Sequence, residues 1–519
     1  VNDEGDRRSL PVRAAGRRDA LVRLVGPAIA FVVPLLQFSL TAQRDVQFWD
    51  VGEFQTVIHI LGIAHPTGFP FYILSSYALT HVVPFGTPAF AASLCSSLAG
   101  ACACFATYAI AHALTHSRLA GICASLFLAR NATVWTVCTR ADPHPLALAT
   151  VLGSVFFALR YSHSRKGEYA VVSCTFFGLA LATHPVAVWA APCIVLVLLS
   201  NGVPTLRIGV ASLIGVALPL LSYGAIPARS AYVFGKKLDP TLALGFGPGM
   251  PFWDYAHTAD ATRFVWYVSG QQFATKVGFA AYLPPRVFGL LSGFPVVLVK
   301  DGGIVTLALA FAGLCVAAAT LRKPIVIALA ALLLAGVPFA LGYDEEADKE
   351  RYLLQAFAAE CIFASIAVAA VVRSSRNHRT ALSLATGTVA LGAIGYLAYA
   401  HRHVIDVNAD AAARTFVTQI RADTPDRSIV VASWLFATPV AYGIYGDGTL
   451  GERIIVTGRP PAAQIATWLE TRCVIVALDP GESRDFGTLT LRALEDKGLQ
   501  TYAFVAPQGP EHCPAHAAP

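Results

Sequence analysis

The sequence predicts an all-α polytopic membrane domain followed by a small soluble α/β domain. Three observations carry this. The mean hydropathy is +0.58 and 55% of the residues are hydrophobic, while only 13% are charged. Apolar runs at 21–41, 88–114, 207–226, 302–321, 324–342, 352–372 and 380–399 are long enough for a bilayer, which takes about 20 helical residues. From 405 onward the composition shifts to mixed charge, and short apolar runs alternate with helical patterns. Shorter apolar candidates at 118–135, 144–161, 168–183 and 184–200 bring the expected total to about eleven spans.

The basic loops set the orientation. Residues 1–20 are polar and basic and are expected to be disordered; Arg7, Arg8, Arg13, Arg17, Arg18 and Arg23 place this end in the cytoplasm. Counting spans puts Arg118, the stretch from Arg160 to Lys166, Arg207, Arg322, Lys323 and the stretch from Arg373 to Arg379 on the same side. The first external loop is then 42–87 and the long external loop 227–301, both within a transmembrane domain over 21–400; the α/β domain over 405–519 is also external. The net charge of +6 is mostly this topological signal and does not argue for nucleic acid. The first apolar run is long and lacks a small-x-small cleavage site, so it reads as an uncleaved anchor. Val1 suggests a bacterial alternative start, and a bacterial inner membrane is the expected location.

Directly after the first span comes DVQFWDVGEFQTVIHILGIAHPTGFPFY, residues 45–72, which carries Asp45, Asp50, Glu53, His59 and His65. Asp50 and Glu53 are spaced i, i+3, which puts both carboxylates on one helix face. Gly62, Pro66, Gly68 and Pro70 then turn the chain past His65. A solvated acidic loop is one reading. The sharper one is a pair of working carboxylates beside low dielectric, where shifted pKa values and acid–base roles concentrate.

Further along, the outer loop 134–146 brings Arg140, Asp142 and His144, and LATHP places His184 at an outer turn between two spans. A lone His at a helix end is often only a cap, yet His184 shares its side with the acidic stretch. The long external loop carries Arg229, Lys236, Lys237, Arg263, Lys276 and Arg286 among many Trp, Tyr, Gly and Pro residues. The outer loop 343–351 supplies Asp344, Glu345, Glu346 and Arg351, with Arg351 opening the next span. External cations facing external carboxylates point to an anionic substrate handled by an acid–base group. In the C-terminal domain IVVAS, RIIVTG, CVIVAL and TYAFVA read as strands, and 410–421, 461–470 and 488–498 as helices. Cys473 and Cys513 can pair there. No CxxC pair, Walker sequence or GxGxxG occurs.

WDVGEF followed by LGIAHPTGFPFY resembles the signature of polytopic glycosyltransferases related to protein O-mannosyltransferases, a family that includes bacterial membrane proteins and the eukaryotic enzyme acting on plexin-type receptors. GLALATHP, IPARS, LDP, SGQQF and DKERYLL resemble further family segments, so the likeness runs from about 45 to 360. One piece departs: where the family reads Trp, six residues, then Glu-Val-Tyr-x-Leu, this chain has Trp135 followed by Asp142, Pro143, His144 and Leu146. The resemblance implies a GT-C fold and an inverting transferase that moves a sugar, mannose first, from a polyprenyl-phosphate donor. The acceptor is Ser or Thr of an exported protein or another extracytoplasmic acceptor. On this reading Asp50 is the general base, Glu53 orients Asp50 or the sugar, Arg229 and Arg351 meet the leaving phosphate, His65 and His184 lie nearer the sugar, and Asp142 is a further substrate-binding residue. No cofactor is implied; two carboxylates can hold a divalent metal, but the resemblance favours a metal-free site. The rival reading is a transporter or flippase for a lipid-linked sugar or another anion, which would use the same charges without chemistry.

Overall fold

The computed structural model describes residues 10–82, 86–276, 284–343, 348–374, 379–479, 481–487, 489–493, 501–505 and 513. Asp344, Glu345 and Glu346 of the late outer loop lie outside them, as do residues 1–9.

The chain starts with α1 (Leu10–Leu40), so residues 10–20 are helical where disorder is expected; Arg is a good helix former and the run continues the apolar span without a breaker. The acidic stretch forms α2 (Trp49–Ile60), and α3 (Pro70–Val82) follows the Gly/Pro turn. Then come α4 (Pro88–Thr115), α5 (Arg118–Arg130), α6 (Ala132–Cys138), α7 (His144–Ser164), α8 (Gly167–Thr183) and α9 (Ala191–Leu199). α10 (Leu206–Leu220) and α11 (Ala225–Lys236) follow as one long apolar stretch, so the loop expected from 227 begins after Lys236; between it and Pro284 the described residues hold α12 (Ala261–Val268) and short 3-10 turns. The last membrane helices are α13 (Pro284–Gly302), α14 (Ile304–Thr320), α15 (Lys323–Leu333), α16 (Val337–Gly342), α17 (Leu354–Ser374) and α18 (Arg379–Ala400).

Among the described residues, five helical stretches are long and apolar enough to cross a membrane, and two bent pairs raise this to seven: α5 with α6, at 73°, and the last part of α13 with α14, at 118°. This falls short of the expected eleven because Leu24–Leu40, Gly167–Thr183, Pro185–Leu199 and Gly387–Ala400 are apolar but shorter than 18 residues. The stretch Lys349–Arg373 is 83% buried and forms the hub, whereas Leu206–Lys236 is only 6% buried and turns Leu213, Leu218 and Leu221 outward. Small residues bring helix backbones together: a Cβ on Gly313 of α14 would collide with the Phe363 carbonyl of α17.

After α19 (His403–Asn408) and α20 (Ala412–Asp423), the C-terminal part builds β1 (Ile429–Ala432), α21 (Trp434–Ala441), β2 (Ile454–Thr457), α22 (Ala462–Leu469), β3 (Val474–Ala477), β4 (Thr490–Ala493) and β5 (Thr501–Val505). The sheet order is β2-β1-β3-β5-β4, with β2, β1 and β3 parallel and β5 and β4 antiparallel. The helix expected over 488–498 is corrected here: Thr490–Ala493 is an edge strand paired to β5. The reason is the alternation Thr488-Leu489-Thr490-Leu491-Arg492, which has period 2; residues 494–498 lie outside the described residues. Cys473 and Cys513 form a disulfide.

This C-terminal part is seated directly on the first external loop. Arg414 of α20 grips Asp45 through bonds of 2.9, 3.0 and 2.6 Å and also reaches Asp447 at 2.7 Å. Asn408 donates to the Thr41 carbonyl at 2.7 Å, and the Ala89 N–H donates to the Tyr442 hydroxyl at 3.2 Å. Because 39% of the Asp45 side chain is exposed, Arg414→Ala should cost only about 1–2 kcal/mol. Its expected signature is faster hydrogen exchange over 43–50 with the membrane helices unchanged; unchanged exchange over 43–50 would contradict the clamp.

Candidate active site

Helix α2 is pinned from both ends. Before it, the Gln55 side chain donates to the Asp45 carbonyl at 3.1 Å and accepts from the Gln47 N–H at 3.1 Å, which folds the entering segment back on the helix. Beyond it, Arg229 donates to the Leu61 and Ile60 carbonyls at 2.7 and 2.9 Å, satisfying the open C-terminal end. Trp49, Leu61 and Phe69 all have positive φ, at 57°, 50° and 48°. Left-handed backbone at three bulky residues of one loop is strain that the surrounding contacts must hold.

The three carboxylates meet different fates. Glu53 has 0% of its side chain exposed and gives both oxygens to His65: one accepts from the backbone N–H at 2.7 Å, and the other contacts ring Nδ1. Phe54, Phe69 and Phe273 wall the His65 ring at 5.6, 5.0 and 6.3 Å. Burial raises Glu53, and although burial opposes its charge, Glu53 and Asp50 raise His65 to about 9; the pair therefore holds a shared proton through neutral pH. Asp142 is 5% exposed and fully occupied, accepting from the His144 ring Nδ1 at 2.7 Å, the His144 N–H at 2.9 Å and Arg140 Nε at 3.3 Å. Burial opposes its charge, but His144 and Arg140 hold it well below the usual carboxylate range.

Asp50 alone stays reachable, with 31% of its side chain exposed. One oxygen accepts from the Trp434 indole N–H at 3.1 Å, and the other lies 3.8 Å from Arg351 Nη1. Burial pushes its pKa up, but His65, Arg351 and the Trp434 bond outweigh this and leave it lowered. Asp50 is thus an anionic, accessible carboxylate in a basic surround.

Beside it lies a group of polar side chains with spare hydrogen-bonding capacity. The His144 and His184 rings stand 4.4 Å apart, with Tyr352 5.5 Å from the former. His184 accepts from the Val186 N–H at 3.1 Å through Nδ1, so its proton sits on Nε2; burial and the nearby His144 and Arg351 push its pKa well down, and it is neutral. Nε2 of His144 and Nε of Arg351 are buried without a hydrogen-bond partner among the described residues. These two nitrogens, with the accessible Asp50 carboxylate, give the site polar groups whose hydrogen-bonding capacity is not used within the chain.

Of the seven residues expected at the site, Asp50, Glu53, His65, Asp142, His184 and Arg351 converge. Arg229 is corrected: its guanidinium lies on the end of α2 and over the Tyr232 and Trp253 rings, at 5.2 and 5.9 Å. It positions the helix. Glu53, expected to orient Asp50 or the sugar, has both oxygens on His65. Trp434 escaped the sequence reading because it lies in the C-terminal part, beyond the resembling segments; its one signal was an indole directly after the strand IVVA. One donor atom each of Asp50, Glu53 and His65 lie within 4.8 Å of one another, a spacing a cation could use, but both Glu53 oxygens are already taken by His65.

With this geometry in view, comparisons with known proteins place the chain. Residues 50–206 match the model of the protein O-mannosyl-transferase TMEM260 N-terminal domain, a segment holding Asp50, Glu53, His65, Asp142 and His184 but neither Arg351 nor Trp434. The mouse protein O-mannosyl-transferase TMEM260 is 26% identical over 176 residues, 33% of this chain and 25% of that protein. The Dictyostelium discoideum protein of the same name is 23% identical over 142 residues, 27% of this chain and 17% of that protein. The matched stretch spans a quarter or less of these relatives' length. In three dimensions the chain resembles the apo oligosaccharyltransferase of Archaeoglobus fulgidus (TM-score 0.54, 13% identity, 88% of this chain and 69% of that one). It also resembles ArnT of Cupriavidus metallidurans bound to undecaprenyl phosphate (TM-score 0.53, 13% identity, 93% and 99%). At such identity the likeness shows the fold, which is GT-C; the family match over residues 50–206 supports the O-mannosyltransferase resemblance read from the sequence.

A folded-state pKa of about 9 for His65, against about 6.5 unfolded, makes the pair stabilising below about 6.5 and loses that contribution as pH rises through about 9. Melting temperature in detergent should therefore fall between pH 8 and 10 in the wild type and much less in His65→Gln. Equal falls in both would contradict the shared proton.

Proposed function

We propose that the chain is an inverting membrane glycosyltransferase that moves a hexose, mannose first, from a polyprenyl-phosphate donor to a hydroxyl of an exported acceptor. The observation that carries it is Asp50: anionic, accessible and set against Arg351. The acceptor O–H gives its proton to Asp50 as its oxygen bonds the anomeric carbon, and the bond from that carbon to phosphate oxygen breaks. The leaving phosphate takes the electron pair and its growing charge meets Arg351, with His184 Nε2–H as a further donor. Asp142 fixes His144, and the Glu53–His65 pair holds the loop beside Asp50. Neutralisation of the phosphate comes from these groups without a metal.

The matching relatives are named protein O-mannosyl-transferases, and the ArnT structure holds undecaprenyl phosphate; both names fit this donor and acceptor. Five long helices, two bent pairs and four shorter apolar helices would make eleven spans, tilt and local thinning accommodating the short ones. With a cytoplasmic N-terminus, the odd number puts the site and the C-terminal domain outside a bacterial inner membrane.

The test is purified protein in lipid with polyprenyl-phosphate mannose and exported-protein peptides, read by mass spectrometry for hexose addition. Asp50→Asn keeps shape but removes the base and should cost about 10²–10⁴-fold in rate with donor binding retained. Glu53→Gln should cost less rate and more stability. Wild-type transfer by both variants would sink the assignment and favour a transporter of the same lipid.

A further inference from the structure

The C-terminal α/β domain reaches into the reacting centre through one side chain. Trp434 is the first residue of α21, at the turn where β1 ends, and its Nε1–H donates to Asp50 Oδ1 at 3.1 Å. No other hydrogen bond to an Asp50 carboxylate oxygen is seen among the described residues, and Arg351 is the nearest cation, at 3.8 Å.

The indole is itself held. The Phe252 ring lies parallel to it, 5.7 Å away with an interplanar angle of 1°, and Tyr255 meets it edge-on at 6.4 Å. Phe252 is 1% exposed, and its carbonyl accepts from the Ile63 N–H at 3.1 Å. That bond ties the indole's support to the loop leading to His65. A Cβ on Gly62 would collide with the same carbonyl, so only glycine lets these backbones meet. On the other side, a Cβ on Gly52 would stand 3.0 Å from Thr438 Oγ1 of α21, which shows how closely α2 and α21 approach. The Arg414–Asp45 grip adds a second tie between the C-terminal part and the segment entering α2.

We infer that Trp434 is a positioning residue for the transfer reaction, its N–H fixing the Asp50 carboxylate so that its free lone pairs face the acceptor, and that the C-terminal domain is therefore part of the catalytic centre. This rests on the reading of Asp50 as general base. A carboxylate on an exposed first helical turn has two free torsions. Arg351 alone, at 3.8 Å, pulls it without setting its plane, whereas a rigid, stacked N–H does set it. The bond is made equally in the free enzyme and in the donor complex, so its loss falls on the chemical step rather than on donor binding.

The experiment compares four full-length proteins in lipid with polyprenyl-phosphate mannose and a peptide acceptor: wild type, Trp434→Phe, and chains with benzothienylalanine or 5-fluorotryptophan at 434. Benzothienylalanine keeps the bicyclic ring and drops the N–H; 5-fluorotryptophan keeps both. The expected result is a kcat lowered about 10- to 100-fold in the two chains without the N–H, a donor KM within about twofold, and recovery with 5-fluorotryptophan. A wild-type kcat with benzothienylalanine would overturn the inference whatever Trp434→Phe does, because packing would then explain the residue. A raised donor KM with unchanged kcat would overturn it too, making Trp434 a wall of the binding site. Either result beside an inactive Asp50→Asn leaves the base assignment standing; an active Asp50→Asn removes both.

Discussion

The site depends on one buried contact, Glu53 against His65. A carboxylate with no exposure must be paired or protonated, and breaking such a pair costs about 3–5 kcal/mol. Here the pairing fastens the chain twelve residues on, both ring and backbone, onto α2. That fixes the turn through Gly62, stacks Phe54, Phe69 and His65 into one block, and leaves Asp50 one helical turn away as the carboxylate with room. The positive φ values at both ends of α2 persist because this block, the Gln55 bridge and the Arg229 cap over-determine the loop.

Charge separates around that block by burial. Glu53 and Asp142 are sealed and hold imidazoles in place, while Asp50 and Arg351 face each other where a substrate can come between them. An ion pair at 3.8 Å is loose enough to open for a phosphate on one side and a hydroxyl on the other. The membrane helices present Arg351 at the start of the most buried stretch of the fold, so its position is set by the hub of the bundle rather than by a loop.

Much of this was legible in the sequence. The i, i+3 spacing of Asp50 and Glu53, the Gly/Pro turn after His65, and the alternation of basic and acidic loops brought six of the seven expected residues to one face. The division of labour between Asp50 and Glu53 was not, since both share a helix face and only packing decides which is buried. The place of Arg229 on the end of α2 was not legible, because a guanidinium looks alike in sequence whether it meets phosphate or a helix end. Trp434 was hidden because its contact with Asp50 spans 384 residues, and no local pattern encodes it. The strand at Thr490–Ala493 was missed because a short alternating edge strand with a charge resembles one face of a helix.

The most direct measurement of the account is a structure of the protein with bound polyprenyl phosphate in a lipid nanodisc. The phosphate is expected within hydrogen-bond distance of Arg351 and of the His184 imidazole, with Arg229 still on the Leu61 carbonyl. A phosphate seated on Arg229, with Arg351 still paired to Asp50 and the His184 imidazole unengaged, would contradict it.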